Sequence, residues 1–355
     1  MKKLLSLLLV AALFASALSF GISAADYGGV KGKNTSGVFS YTLINSGKEV
    51  RIDLSRTAKG ALTIPAKIGG KPVTQIGTEA FYACGDLTSV KIPAGVKVIG
   101  AHAFDMCINL KSVSLPSSLT QIGAYAFLFN TSLTSVTVPN KVTSLGKGAF
   151  AYCSALKTVT LSSALTSLPA ECFEGCDNLT KLTLPTGMKT IPAGTFAGAS
   201  KLKTLTMTKT VILGKTITLP DYKAVKASAW KGGNTALLKK TSGVTYKAVK
   251  AGKTSYTLTD SAGRKLTVTV TVKNPPPTKI AFKKTSVTLK KGKSYNTAVT
   301  FTPVNAQTTR TYASKNKKIA TVDKNGKITA VAKGKTIIVV TTANQLTAQF
   351  TVTVT

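Results

Sequence analysis

The feature that most restricts how this chain can fold is a repeat of 23 residues. From Ile76 onward the pattern Ile/Leu-Gly/Pro-x-x-Ala-Phe-x-x-Cys-x-x-Leu-x-x-Val-x-Leu-Pro recurs with no insertion or deletion. Phe81, Phe104, Phe127, Phe150, Phe173 and Phe196 are spaced 23 residues apart, as are Leu87, Leu110, Leu133, Leu156, Leu179 and Leu202. Apolar and polar residues alternate at Val90-x-Ile92, Val113-x-Leu115, Val136-x-Val138, Val159-x-Leu161, Leu182-x-Leu184 and Leu205-x-Met207, which predicts one short, half-buried strand per unit. Pro93, Pro116, Pro139 and Pro185 end four of these strands by removing a ladder donor. The Ala-Phe segment opposite is expected to be a short helix or helical turn. No single unit can bury both its Phe and its strand face, so the units must stack into a solenoid, residues 76–207, with parallel strands. An open end would aggregate. Alternation in Phe39-x-Tyr41-x-Leu43 and Val50-x-Ile52-x-Leu54 marks residues 26–75 as the N-terminal cap.

The segments flanking the array have different compositions. Lys2 and Lys3, the apolar stretch Leu4 to Phe20 and the small residues Ser23-Ala24-Ala25 read as a secretory signal peptide over residues 1–25. Past Ala25 no apolar run approaches the roughly 20 residues of a membrane span. No Cys stands near the cleavage site, and the end, Phe350-Thr-Val-Thr-Val-Thr355, has no sorting tail. The expectation is an exported mature chain without a transmembrane segment or covalent anchor. Residues 279–355 are a run of short alternating strands: Ser286–Leu289, Thr297–Thr302, Ile319–Val322, Ile328–Val331, Thr336–Val340 and Phe350–Val354. Asn325-Gly326 supplies the tight-hairpin signal. This pattern predicts a small β-sandwich. Residues 208–273 read as a diverged copy. Ser242-Gly-Val-Thr-Tyr-Lys-Ala-Val-Lys-Ala-Gly252 parallels Asn325-Gly-Lys-Ile-Thr-Ala-Val-Ala-Lys-Gly334, and Leu266-Thr-Val-Thr-Val-Thr-Val272 parallels the last strand. Trp230 is expected to plug that core. The stretch 274–278, with Pro275-Pro-Pro277, reads as a semi-rigid linker.

The repeat unit, of a length within the leucine-rich-repeat range, resembles the BspA-like class of bacterial leucine-rich repeat. The lead-in Ile68-Gly-Gly-Lys-Pro-Val-Thr-Gln-Ile-Gly77 is similar to the segment preceding such arrays, and the resemblance covers about residues 39 to 207. Ile319-Ala-Thr-Val-Asp-Lys-Asn-Gly-Lys-Ile-Thr-Ala-Val-Ala-Lys-Gly334 resembles bacterial group 2 Ig-like domains, which serve as stalks in surface proteins. The fold implied is mainly β: a leucine-rich-repeat solenoid followed by two Ig-like sandwiches. The function implied is that of exported cell-surface proteins, several of them adhesins, with no catalytic motif to carry over.

Candidate chemistry is sparse. His102, the one histidine, stands at a variable repeat position and is expected at the surface. A role as base to a Cys107 nucleophile is disfavoured. Cys84, Cys107, Cys153 and Cys176 share one repeat position with Asn130 and Ala199. Asn in that column points to a polar atom bonded to neighbouring backbone, a role a thiol fills weakly. Equivalent side chains of stacked coils point the same way, so buried free thiols are expected over disulfides, and Cys172 is read as packing. Cys172-x-x-x-Cys176 lacks the ligands of a metal site. Glu171, Glu174 and Asp177 read as a solvated edge. No catalytic, cofactor-binding or metal-binding residue is assigned.

The outward strand positions are the candidate binding face: Ser89, Lys91, Ser112, Ser114, Ser135, Thr137, Thr158, Thr160, Lys181, Thr183, Thr204 and Thr206. A concave sheet of hydroxyls can hydrogen-bond an extended polymer or a protein; equally, Ser and Thr are soluble strand formers. Both readings are open. The net charge of +35 arises from 47 basic and 12 acidic residues. The 43% hydrophobic content excludes a disordered basic tail. Residues 26–206 carry +9, 207–273 carry +11 and 274–355 carry +13, so basicity concentrates towards the C-terminus. Lys outnumbers Arg 43 to 4, and lysine is a point charge rather than a bidentate reader of bases, which disfavours specific nucleic-acid recognition. The sequence therefore points to a non-enzymatic exported bacterial surface protein. Its repeat face would bind a protein or polysaccharide, and its Lys-rich tail an anionic envelope polymer. A secreted glycan-binding accessory protein is the alternative, and a hydrolase a distant third.

Overall fold

The computed structural model describes residues 31–33, 39–55, 57–225 and 229–355. The signal-peptide segment lies outside the described residues. Two compact units divide the chain: residues up to Leu156 with Glu171–Cys176, and Lys157–Ala170 with Asp177–Thr355.

In the first unit the cap pairs antiparallel through Lys31–Lys33, Ser40–Ile44 and Glu49–Ile52. Glu49–Ile52 then pairs in parallel with Lys71–Ile76, and Val98–Ile99, Gln121–Ile122 and Ser144–Leu145 follow in parallel. A second parallel sheet runs through Gly60–Thr63, Leu87–Lys91 and Ser112–Ser114. Each repeat thus contributes two short strands, and the cap hands its parallel edge to the first coil.

The repeated phenylalanines form a continuous buried stack. Phe81 and Phe104 lie 5.0 Å apart, Phe104 and Phe127 5.3 Å, Phe127 and Phe150 5.4 Å, and Phe150 and Phe173 5.9 Å, with planes within 9° of parallel. Phe39 of the cap meets Phe81 edge-on at 6.4 Å and ends the stack. Burial contributes about 1.5–3 kcal/mol per ring, and each aromatic contact about 0.5–1.5 kcal/mol more. Coils approach closely because glycine follows the Ile of the first sheet: a Cβ on Gly123, after Ile122, would lie 2.5 Å from the backbone of Gly100 and Ala101.

The expected short helix is absent. No α-helix occurs among the described residues, and the Ala-Phe segments are turns. Two features replace it. Residues two before and two after each Phe are left-handed, as at Glu79, Ala83, His102, Met106, Tyr125 and Phe129, with φ of 52–59°. The N–H groups of this segment also donate to the next coil: Glu79 to Ala101, Phe81 to Ala103 and Ala83 to Asp105, at 2.7–2.9 Å. Donors committed between coils cannot serve an i→i−4 ladder, so stacking itself unmakes the helix.

In the second unit, Lys181–Leu184 pairs in parallel with Thr204–Ile212, a nine-residue strand that begins in the last repeat and continues past residue 208. Lys265–Lys273 pairs in parallel along its whole length, followed antiparallel by Gly252–Thr259 and Lys231–Gly232. Asp221–Tyr222 pairs in parallel with Thr190–Ile191 as a separate two-stranded sheet. The segment after the array therefore pairs one strand with each strand row of the last coils, as a further coil would.

Asp260 and Arg264 complete that end. The Asp260 carboxylate has a side-chain exposure of 0% and accepts from Tyr222 Oη at 2.6 Å and Arg264 Nε at 2.7 Å. Arg264 Nη1 donates to the Phe196 carbonyl at 2.6 Å, and its guanidinium lies over the Phe196 ring. Burial raises the Asp260 pKa, but the Tyr222 and Arg264 bonds outweigh it and leave the group below its ordinary value.

Residues 208–273 and the terminal domain share a pairing order. In the latter, Ser286–Leu289 pairs in parallel with Thr347–Val354, which pairs antiparallel with Gly334–Thr342 and onward to Arg310–Ser314. Ser294–Asn296, Lys327–Ala330 and Ala320–Val322 form its other sheet, matching Thr216–Thr218, Thr245–Ala248 and Leu238–Ser242. The Asn325–Gly326 hairpin forms as expected, with Gly326 at φ 87° and the Asp323 carboxylate accepting from Asn325 and Lys327 N–H. Its core centres on Phe350, Ile328, Ile338, Val340 and Val352. The carbonyls of Pro275 and Pro277 accept bonds from Gln307 N–H and Asn344 Nδ2, which ties the linker to this domain. Trp230, expected in a core, is half-buried.

Candidate ligand-binding face

Strand alternation turns one side chain inward and the next outward. In the first unit Val90 is buried while Lys91 is exposed and Ser89 half-buried; Ser112, Ser114, Ser135 and Thr137 are all exposed. Register places Ser89 beside Ser112 and Lys91 beside Ser114. A shallow depression of about 620 Å³ opens on this face, lined by Ser112, Ser114, Ser117, Ser135, Thr137 and Lys141 among others. In the second unit Thr158, Thr160, Lys181, Thr183, Thr204 and Thr206 are exposed. Lys181 sits beside Thr204 and Thr183 beside Thr206, with hydroxyls 3.2 Å apart. Every predicted face residue lies on an outward strand position, and no aromatic side chain stands among them.

The other candidates have structural partners. All five cysteines are buried free thiols. Cys107, Cys153 and Cys176 each donate to the carbonyl of the preceding coil's phenylalanine at 3.2 Å, Cys84 donates to Ser55, and Asn130 takes the same role on Phe104 at 2.7 Å. The column is a polar ladder, as the Asn in it implied. Burial drives the Cys153 and Cys172 pKa values well up, which suppresses the thiolate. His102, expected at the surface, is half-buried, with Nδ1 2.9 Å from the buried Asp105 carboxylate and its ring stacked on Tyr125. Burial pushes the Asp105 pKa up, partly offset by His102.

Glu171 and Glu174 are half-buried and less solvated than predicted, while Asp177 is exposed as expected. Glu171 accepts from Tyr125 Oη at 3.0 Å and pairs with Lys147 at 3.1 Å, while Glu174 accepts from Tyr152 Oη at 2.8 Å. Burial and Glu174 push the Tyr152 phenol up to about 12. Sequence reasoning missed this aromatic edge. Phe129 stacks on Tyr152 at 4.9 Å, and the Tyr125 and Tyr152 rings pack against Gly148 and Gly175, where a Cβ would come within 2.3 and 2.6 Å of them. Its signal was present in the sequence, since these residues flank each Phe by two. Packed on one another and against the left-handed glycines, these rings brace the turns.

Two family models match the chain: the BspA type leucine-rich repeat region, in six copies over residues 74–203, and the bacterial Ig-like domain of group 2, over residues 276–354. Among solved structures, a leucine-rich repeat protein of T. pallidum is 30% identical, with 50% of this chain and 86% of that one covered and a TM-score of 0.47. The pneumococcal vaccine antigen PcpA is 24% identical over 50% of each chain, at a TM-score of 0.39. A lacto-N-biosidase of Bifidobacterium bifidum is 46% identical over 70 residues, which are 20% of this chain and 6% of that enzyme's length. The constant repeat register and the terminal sandwich lie where the two family models match, and the chain carries a BspA-type leucine-rich-repeat region over residues 74–203 and a group 2 bacterial Ig-like domain over residues 276–354.

Proposed function

We propose that this is an exported, non-enzymatic binding protein of the bacterial cell surface. Its repeat strands engage a protein or polysaccharide ligand, and its C-terminal domains hold that face away from the envelope. The observation that carries this reading is the row of exposed hydroxyls and lysines on the strands, with the 620 Å³ depression between Ser112 and Lys141. It is supported by the occupied state of the reactive groups: thiols bound to carbonyls, His102 to Asp105, Glu171 and Glu174 to tyrosines. The terminal domain's 14 basic residues against one acidic residue support retention on an anionic polymer.

The test is binding of the full mature chain to whole cells and matrix proteins. Ser112→Glu with Ser135→Glu adds two charges to the depression and should lower binding at least tenfold; unchanged binding refutes the strand face. Retention by charge predicts release from cells as salt rises. A glycan-binding accessory protein is a second reading, favoured by the 70 residues shared with a lacto-N-biosidase. It predicts that binding to a soluble neutral polysaccharide persists at high salt.

A further inference from the structure

The outward face does not stop at the last repeat. The strand Thr204–Ile212 continues out of the array, and Lys265–Lys273, Gly252–Thr259 and Lys231–Gly232 extend the same sheet beyond it. At every outward position of Thr204–Thr210, Lys265–Thr271 and Lys253–Thr259 stands Thr, Ser or Lys, while the inward positions Leu205, Met207, Leu266, Val268, Val270, Tyr256 and Leu258 are buried.

Register fixes where the charges fall. Lys181, Thr204, Lys265 and Thr259 form one row across four strands, and Thr257 with Lys231 continues it one step along the sheet. Lys181 and Lys265 are thus two strand spacings apart, about 9.6 Å, and Lys231 lies a further two strands on, about 7 Å along the strand direction. No described acidic group answers them. Between residues 207 and 273 the acids are Asp221, paired with Lys223, and Asp260, buried under Arg264 and Tyr222.

We propose that this extended sheet face binds a linear polyuronate, with a carboxylate on each sugar, lying across the strands. Two strand spacings match the length of an extended disaccharide, so alternate carboxylates meet Lys181 and Lys265, and Lys231, one step along the sheet, meets a further one. Hydroxyls of Thr204, Thr259 and Thr257 between them bond the sugar hydroxyls. Lysine's single mobile charge suits isolated carboxylates, and the absence of acid on the face gives the complementarity that favours the encounter. The inference rests on the strand-face reading only through the shared strands Lys181–Leu184 and Thr204–Ile212.

The experiment uses the full mature chain against polygalacturonate and its fully methyl-esterified form. Binding to the charged polymer should weaken as salt rises, and the esterified polymer should bind at least tenfold more weakly. Lys181→Gln, Lys231→Gln and Lys265→Gln together should lower polygalacturonate affinity about tenfold or more without moving the melting temperature, because all three side chains are exposed. A control triple, Lys48→Gln, Lys59→Gln and Lys67→Gln in the N-terminal cap, where all three side chains are exposed, should leave affinity within twofold. Equal binding of the ester, no loss in the first triple, or equal loss in both triples overturns the proposal. The Ser112→Glu, Ser135→Glu variant separates the two readings: polygalacturonate binding persists in it even if the hydroxyl face between Ser112 and Lys141 has no ligand.

Discussion

Replacing Arg264 by Ala removes the group that closes the end of the array. Asp260 would be left with a side-chain exposure of 0% and only the Tyr222 hydroxyl and backbone N–H groups as donors. Breaking a buried pair by deleting one partner costs about 3–5 kcal/mol, because an uncompensated charge stays buried. The Phe196 carbonyl also loses its 2.6 Å donor, which adds about 1–3 kcal/mol. A loss of at least about 4 kcal/mol is expected at pH 7, measured by hydrogen exchange on the strand Asp221–Tyr222 and on Thr204–Ile212. The pH dependence identifies the cause. Asp260 has a depressed folded-state pKa, so its stabilisation is present above the unfolded value of about 3.9 and lost as pH falls through the folded value. At pH 3 part of the Arg264→Ala deficit should therefore vanish, since a protonated Asp260 needs no cation. Asp260→Asn combined with Arg264→Met should recover much of the loss at pH 7. Equal deficits at pH 3 and pH 7, or a deficit under about 1 kcal/mol, would refute the reasoning.

Two further outcomes test the repeat core. Asp105 is buried with Oδ1 unpartnered and its pKa raised by burial; folding favours its protonated form, so its contribution is fully present below about pH 4 and fades as pH rises through the raised value. Asp105→Asn should then be more stable than the parent at pH 7 by about 1 kcal/mol or more in thermal unfolding, with a smaller difference at pH 3; a pH-independent difference sinks this. In the thiol ladder, Cys153→Ala leaves the Phe127 carbonyl unpaired and should cost about 1–3 kcal/mol, whereas Cys153→Ser keeps a donor and should cost less in urea unfolding; the reverse order would show that packing, not the bond, holds the column.

How much of this was legible can be read from particular residues. The period placed Phe127 in a stack, Val136 inward and Thr137 outward, because stacking identical coils puts identical positions in line. Asn130 among cysteines disclosed the ladder, since a buried amide must find a backbone partner. The helix was misread because propensity and spacing describe one coil, whereas the N–H groups of Glu79, Phe81 and Ala83 are claimed by the next. The aromatic brace on Gly148 and Gly175 was written at fixed offsets from each Phe but has meaning only once the turns are left-handed.

The linear order of apolar and small residues dictated the solenoid, the strand faces and the terminal sandwich, because these follow from local alternation and a repeat too short to bury its own core. Thr-x-Thr alternation in Thr204–Thr210 and Thr267–Thr271 was equally visible as two separate strands. That these strands lie side by side, that Lys181, Lys265 and Lys231 share a track, and that Arg264 reaches the Phe196 carbonyl across 68 residues were decided only by tertiary pairing. Register between distant strands is set by the joint burial of their inward faces, a property of the assembled sheet rather than of either segment.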